Sequence, residues 1–197
     1  MGWSRLNREW GISLVELLVA LSIGMVILAA VTATFITQSK VFDAQEQINQ
    51  MQQNARGALD IIAREVKMAG YNPTQASFSG ITYSASQLKI LADISGPAPL
   101  YQSDGDTDEP NENITYSFDS TNLRILRNSQ LLADNIQSFT FTYLDANGNP
   151  TTNTPNIRQI RIVITARTSK PDPLYPSNGG YRTYQLAALI TAPNLGY

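Results

Sequence analysis

Residues 8–17 read Arg8-Glu9-Trp10-Gly11-Ile12-Ser13-Leu14-Val15-Glu16-Leu17, and their reading decides the fold. Glu16 is a carboxylate set into the most apolar part of the chain, and no charged residue follows it until Lys40. A charge in such a setting costs roughly 2.5–3.5 kcal/mol on insertion scales, so a compensating partner is expected. Ile12 to Ile36 is apolar apart from Glu16 and small residues, and these 25 residues make about 38 Å of helix. That crosses a bilayer core of ~30 Å. Arg5 and Arg8 precede the segment, while Lys40, Asp43 and Glu46 come after it. The positive-inside bias places the N-terminus in the cytoplasm and the bulk of the chain outside it.

The helical pattern continues past the apolar run. Val41, Ala44, Ile48, Met51, Ala55, Ala58, Ile62, Val66 and Ala69 recur at spacings of three and four, one stripe on a helix. No proline occurs before Pro73, and Gly70-Tyr71-Asn72-Pro73 supplies the stop. The spacing predicts one helix from Ile12 to about Ala69, 58 residues or ~87 Å long. A free coiled coil is the competing account of its second half, but the strands beyond it need covering.

After Pro73 the period changes to two. Ile81–Tyr83, Leu88–Leu91, Ile114–Phe118 and Leu123–Leu126 read as strands around polar turns such as Asp119-Ser120-Thr121-Asn122. Phe139, Phe141 and Tyr143 alternate with Ser138, Thr140 and Thr142, and Ile160, Ile162 and Ile164 alternate with Arg161, Val163 and Thr165. A last strand runs near Arg182 to Thr191. One helix followed by antiparallel strands predicts an α+β fold with the helix laid across a sheet.

The residue inventory excludes several chemistries. The 197 residues contain no cysteine and no histidine, so disulfides, thiolate or imidazole metal sites and His-dependent triads are ruled out. A net charge of -2 gives no global signal for nucleic acid. The basic strands around Arg158, Arg161 and Arg167 are read as solvated faces, with no nucleic-acid partner expected.

The N-terminal segment admits three readings. A secretory signal has a shorter apolar region and no internal Glu. A plain anchor explains the length but not Glu16. Gly11 followed by Ile12-Ser13-Leu14-Val15-Glu16 resembles the processing site of a type IV prepilin. In that family a short basic leader ends in Gly, and an inner-membrane prepilin peptidase cuts after it and methylates the new N-terminus. The resemblance implies cleavage between Gly11 and Ile12, with Ile12 as the N-methylated residue; the family most often has Phe there. It also gives Glu16 a role in subunit registration, pairing with the terminal amine of a neighbour.

The division implied is a leader (1–11), a transmembrane and filament-core helix (12–37), an amphipathic helix packing on the head (38–70) and a β-rich globular head (71–197). The head motifs are similar to PilW-type minor pilins, through Val66-Lys67-Met68-Ala69-Gly70-Tyr71, Ile114-Thr115-Tyr116, Leu132-Ala133-Asp134-Asn135-Ile136 and Ile160-Arg161-Ile162. PulJ-type pseudopilins of type II secretion share the plan and are the alternative. The resemblance implies a non-enzymatic subunit of a priming or tip complex, with no small-molecule substrate. Its partners would be other minor pilins, the major pilin, the prepilin peptidase and the inner-membrane assembly platform. It would be held in the inner membrane with a periplasmic head, then carried into an extracellular pilus.

One loop stands apart. Between Asp93 and Asp119 there are seven carboxylates and no Lys or Arg. Asp104, Asp106 and Asp108 fall on alternate residues, and with Glu112 they are the candidate ligands of a calcium ion, which takes six to eight oxygens. The loop is not an EF-hand, since Glu109 and Thr115 stand where Gly and Glu are required. A solvated acidic loop without a metal is the plain alternative, and a glycosidase-like carboxylate pair is a further one that lacks a visible pocket.

Overall fold

A computed structural model describes residues 11–96 and 102–196. Helix α1 runs unbroken over Leu14–Met68, 55 residues. Eight strands come after it: β1 Ile81–Thr82, β2 Gln87–Leu91, β3 Asn113–Asp119, β4 Arg124–Arg127, β5 Gln130–Ala133, β6 Ile136–Leu144, β7 Gln159–Arg167 and β8 Thr183–Thr191. The chain divides into two compact units, residues 1–45 and 46–197.

Within the second unit, the C-terminal part of α1 buries Met51, Ala55, Ala58, Ile62 and Val66. They share one core with Leu88, Ile90, Tyr116 and Ile125 of β2, β3 and β4, and with Phe139, Ile160, Ile162, Ile164 and Ile190 of β6, β7 and β8. The stripe read from the sequence is thus buried from Met51 on, while Ala44 and Ile48 are half-buried and Val41 is exposed.

The single sheet expected from the sequence is two. β1 to β5 form an antiparallel meander in chain order, and β6, β7 and β8 form a second. Strand β5, not foreseen, pairs with β4 across Asn128 and Ser129, both at positive φ (48° and 67°). That is the geometry of a two-residue type I′ hairpin turn. The break between sheets comes at Asn135, whose φ is 54°. Its left-handed turn swings the chain out of the β5 ladder, and the Ile136 N–H bonds the Leu123 carbonyl at 2.9 Å instead.

The end of α1 is fixed by close backbone approach. Gly70 has φ 78°, and its N–H donates to the Leu91 carbonyl at 2.8 Å. A Cβ on Gly70 would lie 2.8 Å from Leu195 Cδ2, and one on Gly80 would lie 2.2 Å from the Gly70 nitrogen. Asn194 Nδ2 donates to the Lys67 carbonyl at 3.2 Å, satisfying one orphan acceptor of the last turn.

Candidate functional site

The segment with the expected cleavage site leads into α1. Among the described residues nothing packs over Gly11, and Ile12 is 77% exposed. Ser13 precedes the first helical residue; its Oγ accepts the Val15 N–H at 3.4 Å, and Glu16 Oε2 accepts the Ser13 N–H at 3.1 Å. Ser13-Leu14-Val15-Glu16 thus forms half of a capping box: the glutamate satisfies the Ser13 N–H, while the serine hydroxyl takes the Val15 N–H rather than that of Glu16. The sequence carries its signal, Ser followed three residues later by Glu before an apolar run, although the apolar setting of Glu16 draws attention away from it. Glu16 thus finds partners inside its own chain, with its charge at the positive end of the helix dipole. The expected leader, with Arg5 and Arg8, lies outside the described residues apart from Gly11.

The apolar part of α1 is long enough to cross a membrane, and none of that stretch is buried within the protein. Its hydroxyls are hidden locally. Ser22, Thr32, Thr34 and Thr37 each donate to the carbonyl four residues back, at 2.8–3.0 Å. These polar atoms are satisfied inside the helix, and the outer surface is hydrocarbon.

The acidic loop lies in the β2–β3 connection. Asp104, Asp106 and Glu109 bring carboxylate oxygens within 4.8 Å of one another. Asp108 stands outside that group, its N–H donating to Asp106 Oδ1 at 3.2 Å, and its interaction with the Asp106 carboxylate raises its pKa. Glu112 is buried at 1% exposure. Its Oε1 accepts the N–H groups of Ile94 and Ser95, both at 2.7 Å, while Oε2 has no partner among the described residues. Glu109, absent from the ligands expected from the sequence, is pushed up to about 7 by burial first, then by Glu112 and the three aspartates. No local pattern marks it; its side chain reaches the cluster only because the chain turns at Pro110 and Asn111.

Residues 7–32 match a family model described as the prokaryotic N-terminal methylation motif. The matched stretch holds Gly11, Ile12 and Glu16. Among solved structures, the chain is similar to a type IV-like pilin, TTHA1219, from Thermus thermophilus. The identity is 14% and the TM-score 0.47, over 74% of this chain and 98% of that one. No curated protein matches the chain. The chain's α+β plan, one long helix and antiparallel sheets, agrees with the fold class read from its sequence.

Within the second unit, the C-terminal part of α1 is tied to the strands by a polar cluster that the sequence did not reveal. Glu65 accepts a hydrogen bond from the Tyr116 hydroxyl, and Arg127 Nη2 lies 2.8 Å from Glu65 Oε1. Arg127 also donates to Asn111 Oδ1 at 2.9 Å, which links the β2–β3 connection to the same cluster.

Proposed function

We propose that this chain is a type IV pilin, a minor, PilW-like subunit of the priming or tip complex that initiates pilus assembly. The observation that carries the reading is the methylation motif leading into an exposed apolar stretch of a helix that continues, unbroken, into the core of a folded head. In this reading the precursor sits in the inner membrane with its N-terminus in the cytoplasm and its head in the periplasm. The prepilin peptidase cuts between Gly11 and Ile12 and methylates Ile12. Other minor pilins, the major pilin and the assembly platform are its partners. The chain serves as a structural subunit, a substrate of the peptidase rather than an enzyme.

Cleavage leaves a cationic amine on Ile12, and methylation keeps it cationic. In the filament, Glu16 pairs with the amine of a neighbouring subunit. A complementary charge offsets much of the desolvation cost in a low-dielectric setting, whereas an unpaired one stays expensive. The capping bond to the Ser13 N–H supplies an interim partner until a neighbour arrives. The minor role is supported by two departures from shaft subunits: no proline interrupts the apolar helix, and no cysteine staples the head.

Intact mass of the protein from native membranes, with and without the peptidase gene, tests the processing. Loss of residues 1–11 plus one methyl group, only with the peptidase present, is expected; an uncleaved chain in both strains rejects the reading. Pilus counts in a deletion strain then separate a pilus subunit from a type II secretion pseudopilin.

A further inference from the structure

Strand β8 is the outer strand of the second sheet, which runs in the order β6-β7-β8. It pairs with β7 along its whole length, Thr183–Thr191, with no shift of register. Just beyond its two ends, the Thr168 N–H donates to the Arg182 carbonyl at 2.9 Å and the Ala192 N–H to the Arg158 carbonyl at 3.1 Å. Hydrogen-bonded pairs alternate along an antiparallel ladder, so Tyr184, Leu186, Ala188 and Ile190 direct their backbone groups to β7. Thr183, Gln185, Ala187, Leu189 and Thr191 direct theirs away from the sheet. Among the described residues nothing bonds those N–H and C=O groups. The opposite edge differs. There the Ile136 N–H bonds the Leu123 carbonyl at 2.9 Å, and the Thr151 N–H bonds the Tyr143 carbonyl at 3.0 Å.

An open edge is a template for another strand, and proteins blunt it with charge, proline, a bulge or a covering segment. Residues 183–191 contain no charged residue and no proline, and their ladder has no bulge. Leu189 is 56% exposed on the strand's outer side.

The strand is also complementary to itself. Two copies laid antiparallel about a two-fold axis at Ala187 overlap along the whole strand. Thr183 then stands opposite Thr191, Gln185 opposite Leu189, and Ala187 opposite its own counterpart. On the inner side Tyr184 stands opposite Ile190 and Leu186 opposite Ala188, an aromatic against a β-branched side chain and a large one against a small one. No charges meet in the new ladder, since Arg161 and Arg167 lie one strand back on β7. The outward groups of the two strands would make about ten backbone hydrogen bonds.

We propose that the chain self-associates through β8, two copies joining antiparallel across Ala187 into one continuous sheet. Such a two-fold contact uses the same patch on both copies and closes on itself, so it gives a dimer and not an open chain. The inference concerns the second unit alone and does not rest on the pilin reading.

The test is the mass of the full chain in detergent by analytical sedimentation, at about 100 µM, where a contact of small area is populated. A dimer is expected. The chain has no cysteine, so a single Ala187→Cys reports on the axis. The Cα atoms of a hydrogen-bonded pair lie ~5.5 Å apart, within the span of a disulfide. Under copper phenanthroline and air, Ala187→Cys should form a covalent dimer, while Thr142→Cys, exposed on β6, should not. Ala187→Pro removes an outward N–H from each copy and leaves the ladder to β7 intact, so it should weaken dimerisation at least ~10-fold. If that variant melts well below wild type, Ala187→Lys replaces it: two ammonium groups then face each other from an exposed position, for a loss of ~5-fold. A chain that stays monomeric overturns the proposal. So does a dimer that the folded variant does not weaken, which assigns the association to the apolar part of α1. An Ala187→Cys that links no faster than Thr142→Cys also overturns it and leaves the β8 edge to a different chain.

Discussion

The hydroxyl of Tyr116 donates a hydrogen bond to the carboxylate of Glu65, joining β3 to the last full turn of α1 inside the core. Arg127 completes the cluster from β4, with its Nε 2.9 Å from Glu65 Oε1. Burial first, then the Glu65 carboxylate, raises the Tyr116 pKa far above the usual phenol range, so the hydroxyl keeps its proton and remains a donor. The arrangement places one acid, one base and one hydroxyl where helix and sheet meet.

Removing Arg127 should therefore hurt more than removing the hydroxyl. Glu65 is 11% exposed and Arg127 25%, so Arg127→Ala leaves a poorly hydrated carboxylate. The expected loss is about 2–3 kcal/mol, below the range for full burial because the guanidinium is partly in water. Tyr116→Phe should lose about 1–2 kcal/mol. Denaturant unfolding of both variants and of the double variant gives the coupling; simple additivity would mean that the three groups do not act together.

The acid side of the stability profile should depend on Asp172. The Leu174 N–H, at 2.8 Å from Oδ1, and then Arg182, at 2.9 Å from Oδ2, lower its pKa. A depressed carboxylate contributes stability that is fully present above its unfolded pKa of about 4 and is lost as pH falls through the folded value. Asp172→Asn should lower the melting temperature at neutral pH, and the gap to wild type should close by about pH 2–3. A gap that persists at the acid end would assign the effect to packing.

Two glycines should resist substitution. Gly70→Ala meets a left-handed backbone together with Leu195 and Asn194, and is expected to cost about 1–3 kcal/mol. Gly80→Ala should cost more, because its Cβ would fall on the Gly70 backbone rather than on a movable side chain. Equal melting temperatures for the two variants would show that the loop after α1 relaxes freely.

Glu16 carries two assignments that substitution can separate. Glu16→Gln keeps an oxygen for the Ser13 N–H but removes the charge; Ser13→Ala keeps the charge but removes the Oγ acceptor. If registration is the functional role, Glu16→Gln should insert normally yet reduce pilus number to the deletion level, and Ser13→Ala should assemble. Electron-microscopic pilus counts alongside membrane fractionation distinguish the two. Equal loss in both variants would place the requirement in the helix cap.

Local pattern determined the long helix, its apolar first half, its processing motif and the existence of most strands. Each of these rests on residues close in sequence: a 3.6-residue period, a two-residue period, a glycine before an apolar run. Even the cap that Glu16 places on the Ser13 N–H is legible there. Tertiary structure alone decided the rest. The split into two sheets turns on one left-handed residue, Asn135, within a stretch that reads as continuous β. Glu65, polar on a helix otherwise read by its apolar stripe, is buried because Tyr116 and Arg127 arrive from strands more than fifty residues away. Glu109 joins Asp104 and Asp106, and Asp108 does not, although spacing alone favours Asp108. Alternation along a loop says which side chains leave the same side of the backbone. It does not say where the loop folds, and the position of a carboxylate depends on the fold.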